Sequence, residues 1–158
     1  MEIRFAKAQD IPEILALLRQ VGQLQYPDRP NIFRSGAQKY GASQVLSMLD
    51  NPAAPVFVAA EADRILGYCF CQIKAYRQDP VIADHTSLYI DDLCVDASSR
   101  GQHIGTQLYQ AVCKYARQRR CLCVALSVWT CNTAAVKFFE SLGLKPQKIE
   151  MEDVLEDA

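Results

Sequence analysis

Two adjacent carboxylates, Asp91 and Asp92, stand inside the apolar segment Tyr89-Ile-Asp-Asp-Leu-Cys-Val95. This segment continues through Asp96-Ala-Ser-Ser99 into Arg100-Gly-Gln-His-Ile-Gly-Thr106. Carboxylates so placed can take a proton from a nucleophile. The strand–turn–helix junction after them offers a second kind of chemistry. Amides in the first turn of a helix lack partners, and the helix dipole adds partial positive charge, so such an end accepts a phosphate or diphosphate. Gly101 and Gly105 remove side chains where a ligand would approach the main chain. A Rossmann fingerprint needs G-x-G-x-x-G and a P-loop needs G-K-S/T; neither is present. Neighbouring strand residues point opposite ways, so a regular strand shows only one of Asp91 and Asp92 to either side, and a bulge would change which one. The competing role for each is a surface or turn-bonding carboxylate.

The elements that must position these groups follow from periodicity. Ile3-Arg4-Phe5 alternates as a short strand. Asp10 suits an N-cap, Pro12 is tolerated early in a helix, and Ile11, Ile14, Leu15 and Leu18 follow helical spacing to about Val21. Residues 22–42 show no period and read as a long surface loop, a length typical of functional segments. A short helix over 43–49 precedes strands over 56–60 and 65–75, which are joined by a turn at 62–64. The strand over 87–95 reads as central. Ile104, Leu108, Ala111, Val112 and Tyr115 make a helical stripe ending in Arg117, Arg119 and Arg120, cations suited to a helix C-terminus rather than a nucleic-acid patch. A strand over 122–129 follows. Next comes a helix capped by Asn132 and stopped by Gly143, then a last strand over 148–155. With no repeat and no linker, residues 1–158 read as a single mixed α/β domain.

Composition narrows the function. The chain has 158 residues, half of them hydrophobic, and 17 basic against 18 acidic side chains. That excludes a disordered protein and a domain-wide basic field for nucleic acid or anionic lipid. No apolar run reaches the roughly 20 residues of a membrane span, and residues 1–10 carry no signal-like stretch, so a cytoplasmic location is expected. In a reducing compartment the seven cysteines read as small buried hydrophobes. The pairs Cys69/Cys71 and Cys121/Cys123 lie in apolar strands rather than in knuckles of C-x-x-C type, so no metal is expected.

Two blocks carry a family resemblance. Arg100-Gly-Gln-His-Ile-Gly105 is similar to the signature Q/R-x-x-G-x-G/A of the GNAT family of acetyl-CoA-dependent N-acetyltransferases, commonly written R-G-x-G-I-G, with His103 in place of the middle glycine. Asn132-Thr-Ala-Ala-Val-Lys-Phe-Phe-Glu-Ser-Leu-Gly-Leu144 resembles that family's N-x-x-A-x-x-F-Y-E-x-L-G-F. With the element order, the resemblance covers nearly the whole chain. It implies a single-domain GNAT acyl-CoA N-acyltransferase fold: a mixed, mostly antiparallel sheet, splayed between strands 4 and 5 and flanked by helices.

The resemblance also implies acetyl-CoA as co-substrate. Its pantetheine arm would lie along Leu93, Cys94 and Val95, and its diphosphate on the amides of Arg100, Gly101, Gln102, His103, Ile104, Gly105 and Thr106. Asn132 and Phe138 come from the second block, Asn132 also being a plain N-cap. His103 either points outward or approaches a phosphate as a cation; if the site demands positive φ, it costs on the order of 1 kcal/mol. The implied reaction is direct attack of a primary amine on the thioester, with Asp91 or Asp92 as base. A lysine-like amine is free base in only about one molecule in 10³ at pH 7. The family's general-acid tyrosine is replaced by Phe139, leaving water, Cys131, Tyr89 or Tyr109 to protonate the thiolate. Acceptor residues would come from Tyr26, Asp28, Arg29, Phe33 and Tyr40, with Tyr76 and Arg77. The acceptor is a small molecule or a protein N-terminus or lysine, and a homodimer is allowed. The alternative is a catalytically weak acyl-CoA-binding sensor or regulatory protein, which Phe139 and His103 would suit.

Overall fold

The computed structural model describes residues 1–23, 29–34 and 36–155. The chain forms β1 (Glu2–Phe5), a 3-10 turn (Ala8–Asp10), α1 (Ile11–Gln23), α2 (Ala42–Leu49), β2 (Val56–Glu61), β3 (Arg64–Tyr76) and β4 (His85–Val95). A second 3-10 turn (Ala97–Ser99), α3 (Ile104–Gln118), β5 (Cys123–Leu126) and α4 (Thr133–Ser141) complete it. Two compact units result, residues 1–127 and the remainder from Val128.

In the first unit a five-stranded sheet runs in the order β1-β2-β3-β4-β5, antiparallel from β1 to β4. The β4–β5 pair is parallel, with α3 as the crossover that parallel strands require. Strand alternation divides the core between the two faces of the sheet. Val56, Val58, Tyr68 and Phe70 pack with Ile14, Leu17 and Leu18 of α1 and Val45 of α2. Phe57, Ala59, Cys69, Cys71, Leu88 and Ile90 pack with Ile104, Leu108, Val112 and Ala116 of α3. Both faces are covered, which is why β2 and β3 read as continuous apolar runs.

Asp10 precedes α1 as expected, but its carboxylate turns backwards. It accepts the Lys7 amide at 2.7 Å and a two-pronged Arg4 guanidinium at 2.7 and 3.0 Å, and it is buried. The arginine holds the Asp10 carboxyl below the ordinary carboxylate range.

Two expected elements differ. The strand expected over 122–129 is confined to Cys123–Leu126, because β4 bulges just past Ile90, the partner of Leu126, and the ladder stops there. Residues 148–155 form no strand. Ile149 and Met151 stay 81% and 87% exposed, so the alternation buries no apolar face to offset the entropy of ordering one. The cysteines are also less uniformly buried than expected: Cys69, Cys71 and Cys94 are buried, Cys123 is exposed, and all seven are free thiols. Among the described residues no helix is long and apolar enough to cross a membrane.

In the second unit, Asn132 caps α4, its Oδ1 accepting the Ala135 amide at 3.2 Å. Gly143, at φ +92°, ends the helix in the left-handed conformation that glycine adopts without penalty.

Candidate active site

The two carboxylates owe their placement to one irregularity. Phe70 of β3 pairs with Asp92, and the next residue, Cys71, pairs with Ile90, so Asp91 is an extra residue in β4. Such a bulge breaks strict alternation. Ile90 and Leu93 keep to the α3 core. Asp91 and Asp92 both turn to the α1/α2 side, where each meets a tyrosine. The Tyr68 hydroxyl donates to Asp92 Oδ2 at 2.8 Å, and the Tyr40 hydroxyl donates to Asp91 Oδ2. The rings of Tyr40 and Tyr68 flank Phe70 at centroid distances of 5.1 and 4.9 Å, fixing both hydroxyls from within the core.

Among the described residues, one cation rests against the pair. Lys39 Nζ donates to the Asp91 carbonyl oxygen at 2.9 Å and lies 3.4 Å from Asp91 Oδ2, with its side chain 44% exposed. Burial raises the Asp92 carboxyl above its ordinary range, against the opposing pull of the Tyr68 hydrogen bond and the Lys39 charge. Burial, then the Asp92 charge, pushes the Cys94 thiol up to about 12. Burial first, with the neighbouring carboxylates next, also raises the phenols of Tyr40 and Tyr68, which therefore stay protonated as donors.

Past Ile90 the sheet opens. Pairing of β4 with β3 continues to Val95, whereas pairing with β5 ends at Leu126, so residues 91–95 have no ladder partner on the β5 side. This is the splay expected between strands 4 and 5. The turn beyond is pinned from α1. Gln20 donates from Nε2 to Asp96 at 3.1 Å and accepts the Ala97 amide at 3.2 Å, while the Asp96 amide donates to Leu66 O at 2.8 Å. Gly101 has φ +80° with open space around its Cβ position, so conformation rather than crowding calls for glycine there. His103 has φ +60° in the left-handed region, where its side chain is strained. No side chain caps α3. The amides at this end are therefore not consumed by a capping residue, and the donor set suits a diphosphate.

The expected acceptor residues are spread more widely. Tyr76 stacks on His85 at 4.6 Å, six residues along β3 from the partner of Asp92, or roughly 20 Å at strand rise. The structure does not bring it to the carboxylates. Arg77 lies beyond it, bonded to the His85 carbonyl at 2.8 Å. Arg29 and Phe33 share a turn closed by Phe33 N–H on Arg29 O at 3.2 Å, in the α1–α2 connection that also carries Lys39 and Tyr40. Tyr26 and Asp28 lie outside the described residues. Of the candidates for thiolate protonation, Tyr89 has Lys74 Nζ 3.9 Å above its ring. Burial and a bond with Cys113 push Tyr109 up to about 12. Phe139 packs edge-on against Phe138 at 5.0 Å. Sequence reading missed Lys39, Tyr68 and Gln20. Tyr68 alone gave a signal, a phenol in an otherwise apolar strand whose buried hydroxyl needs a partner. Among the described residues, no three His, Cys, Asp or Glu side chains converge as a metal site.

A sequence model described as the acetyltransferase (GNAT) family matches residues 18–144. The chain belongs to that family. A mutant of the BH1408 protein from Bacillus halodurans is 30% identical, with 99% of this chain and 100% of that one covered and a TM-score of 0.92. A putative acetyltransferase from Agrobacterium tumefaciens str. C58 is 19% identical, with coverages of 98% and 100% and a TM-score of 0.75. The aminoglycoside N-acetyltransferase AAC(6')-Iy, solved in complex with CoA, is 15% identical, with coverages of 98% and 99% and a TM-score of 0.74. The last two are similar in fold. Family and fold together support acyl transfer as the general activity.

Proposed function

We propose that this protein transfers the acetyl group of acetyl-CoA to a primary amine, with Asp91 as the group that receives the amine's proton. The observation that carries this reading is the bulge, which turns Asp91 and Asp92 to one side where β4 parts from β5 and where a primary ammonium, that of Lys39, already rests against Asp91. A general base must first be within reach of the proton it takes, and Asp91 meets that condition for an amine. Asp92, held by Tyr68, keeps the bulge in place and adds negative potential that favours a cationic acceptor.

Acetyl-CoA supplies the activated acyl group and a thiolate leaving group. The main-chain amides of residues 100–106 hold its diphosphate, and the unpaired edge of Leu93, Cys94 and Val95 receives the pantetheine as an added strand. Asn132 and Phe138 are assigned to the coenzyme by their motif positions. With Phe139 unable to donate, water protonates the thiolate. The free thiols fit a cytoplasmic setting. The acceptor is a small molecule or a protein amine. The replacement of the motif tyrosine by Phe139 favours a second reading, an acyl-CoA-binding regulator with weak transfer.

The test is Asp91→Asn assayed with acetyl-CoA on a panel of amines. Loss of a general base costs about 10²–10⁴ in rate, and the loss should be greatest for amines of high pKa. Equal losses across the panel would remove Asp91 from the base role. If the unaltered protein bound acetyl-CoA but acetylated no amine, the regulator reading would stand.

A further inference from the structure

Lys39 marks where an ammonium rests in the proposed transfer but takes no step in it. It belongs to the irregular connection between α1 and α2, and its amine reaches across to Asp91. The contact has two parts. The Asp91 carbonyl accepts a hydrogen from Nζ at 2.9 Å, and the carboxylate lies 3.4 Å away on the same residue. Tyr40, the next residue, binds the same carboxylate and anchors the connection against Phe70. The lysine is thus a primary amine tethered beside a carboxylate able to take its proton, while 44% exposure leaves the side chain room to shift.

We infer that Lys39 is itself an acceptor, so that the protein acetylates its own Lys39 in cis from acetyl-CoA. The inference rests on the proposed transfer function. The neutral Lys39 amine attacks the thioester carbonyl carbon, the C–N bond forms, and the C–S bond breaks with its electron pair leaving on the CoA sulfur. The proton lost by nitrogen passes to Asp91 and, through water, to the thiolate. The products are Nε-acetyl-Lys39 and free CoA. An ordinary lysine is neutral in only about one molecule in 10³ at pH 7. Tethering beside Asp91 gives this amine a base and a fixed position that a free amine lacks, which offsets that scarcity. Acetylation removes the cation beside Asp91, so the modified protein presents that carboxylate, still bonded by the Tyr40 hydroxyl, to an incoming ammonium.

The experiment incubates the full chain with acetyl-CoA and maps acetylated lysines by peptide mass spectrometry, while calorimetry on the same sample records acetyl-CoA binding. Label should accumulate on Lys39 at least about tenfold faster than on Lys74, Lys114 or Lys137. Its rate should be first order and independent of protein concentration, and fall in Asp91→Asn. Labelling spread evenly over the lysines, unchanged by denaturation, or proportional to protein concentration would overturn the inference. Binding of acetyl-CoA without label on Lys39 would overturn it alone. Absence of binding would overturn it together with the transfer reading.

Discussion

Replacing Asp92 with asparagine tests how the bulge is held, because this change should make the protein more stable and less active at once. The substitution keeps the shape and an oxygen for the Tyr68 hydroxyl, which now donates at 2.8 Å. Turning that charge-assisted bond into a neutral one costs about 1 kcal/mol. Against this, the buried charge disappears, and uncompensated burial costs several kcal/mol per ion. The raised Asp92 carboxyl gives the sign: burial outweighs the help from Tyr68 and Lys39.

A carboxyl whose folded-state pKa lies above its unfolded value stabilises the protein below the unfolded value, near pH 4, and loses that contribution as pH rises through the folded one. Asp92→Asn should therefore match the parent near pH 4 and exceed it at pH 7 by about 1–2 kcal/mol, or roughly 2–8 °C in Tm for a chain of this size. Chemical unfolding at a series of pH values measures the difference. If the variant's advantage shrank or reversed as pH rose, Tyr68 and Lys39 would be compensating the charge, and the reasoning would fail.

Asp10→Ala should cost about 1–3 kcal/mol, since it takes away the buried carboxylate to which the half-buried Arg4 guanidinium and the Lys7 amide donate. The pH dependence here has the opposite sign to that of Asp92. The depressed Asp10 carboxyl stabilises the fold above about pH 4, and that contribution is lost as pH falls through its lowered value, which acid unfolding of parent and variant would reveal. Phe139→Tyr restores the proton donor of the family motif and should raise kcat about tenfold or more if departure of the thiolate limits turnover. An unchanged kcat in steady-state assays would show that another step does.

The sequence carried the frame because its signals were local. Gly143 and Asn132 mark the ends of α4 by backbone chemistry each can perform alone, and the continuous apolar runs of β2 and β3 need no distant partner to be read. The bulge at Asp91 was harder, for nothing in Tyr89-Ile-Asp-Asp-Leu forces an extra residue. It appears only when the register against Phe70 and Cys71 is known. Lys39 and Asp91 are 52 positions apart, and their contact depends on how the α1–α2 connection returns over the sheet. The segment 148–155 misled because an alternating pattern is necessary for a half-buried strand but does not supply the neighbour a strand requires. His103 was legible as a departure from the glycine pattern, and its positive φ shows that the turn demands the conformation itself.

The central claim is that the amides around residues 100–106, with the open edge of β4, hold a CoA thioester. Isothermal titration of the folded protein with CoA and acetyl-CoA tests it most directly. The account predicts saturable heat with both ligands, weakened when His103→Pro, which cannot adopt the positive φ of that turn, alters its backbone. A titration that stays flat at millimolar ligand, on protein shown to be folded by its cooperative melt, would contradict the account.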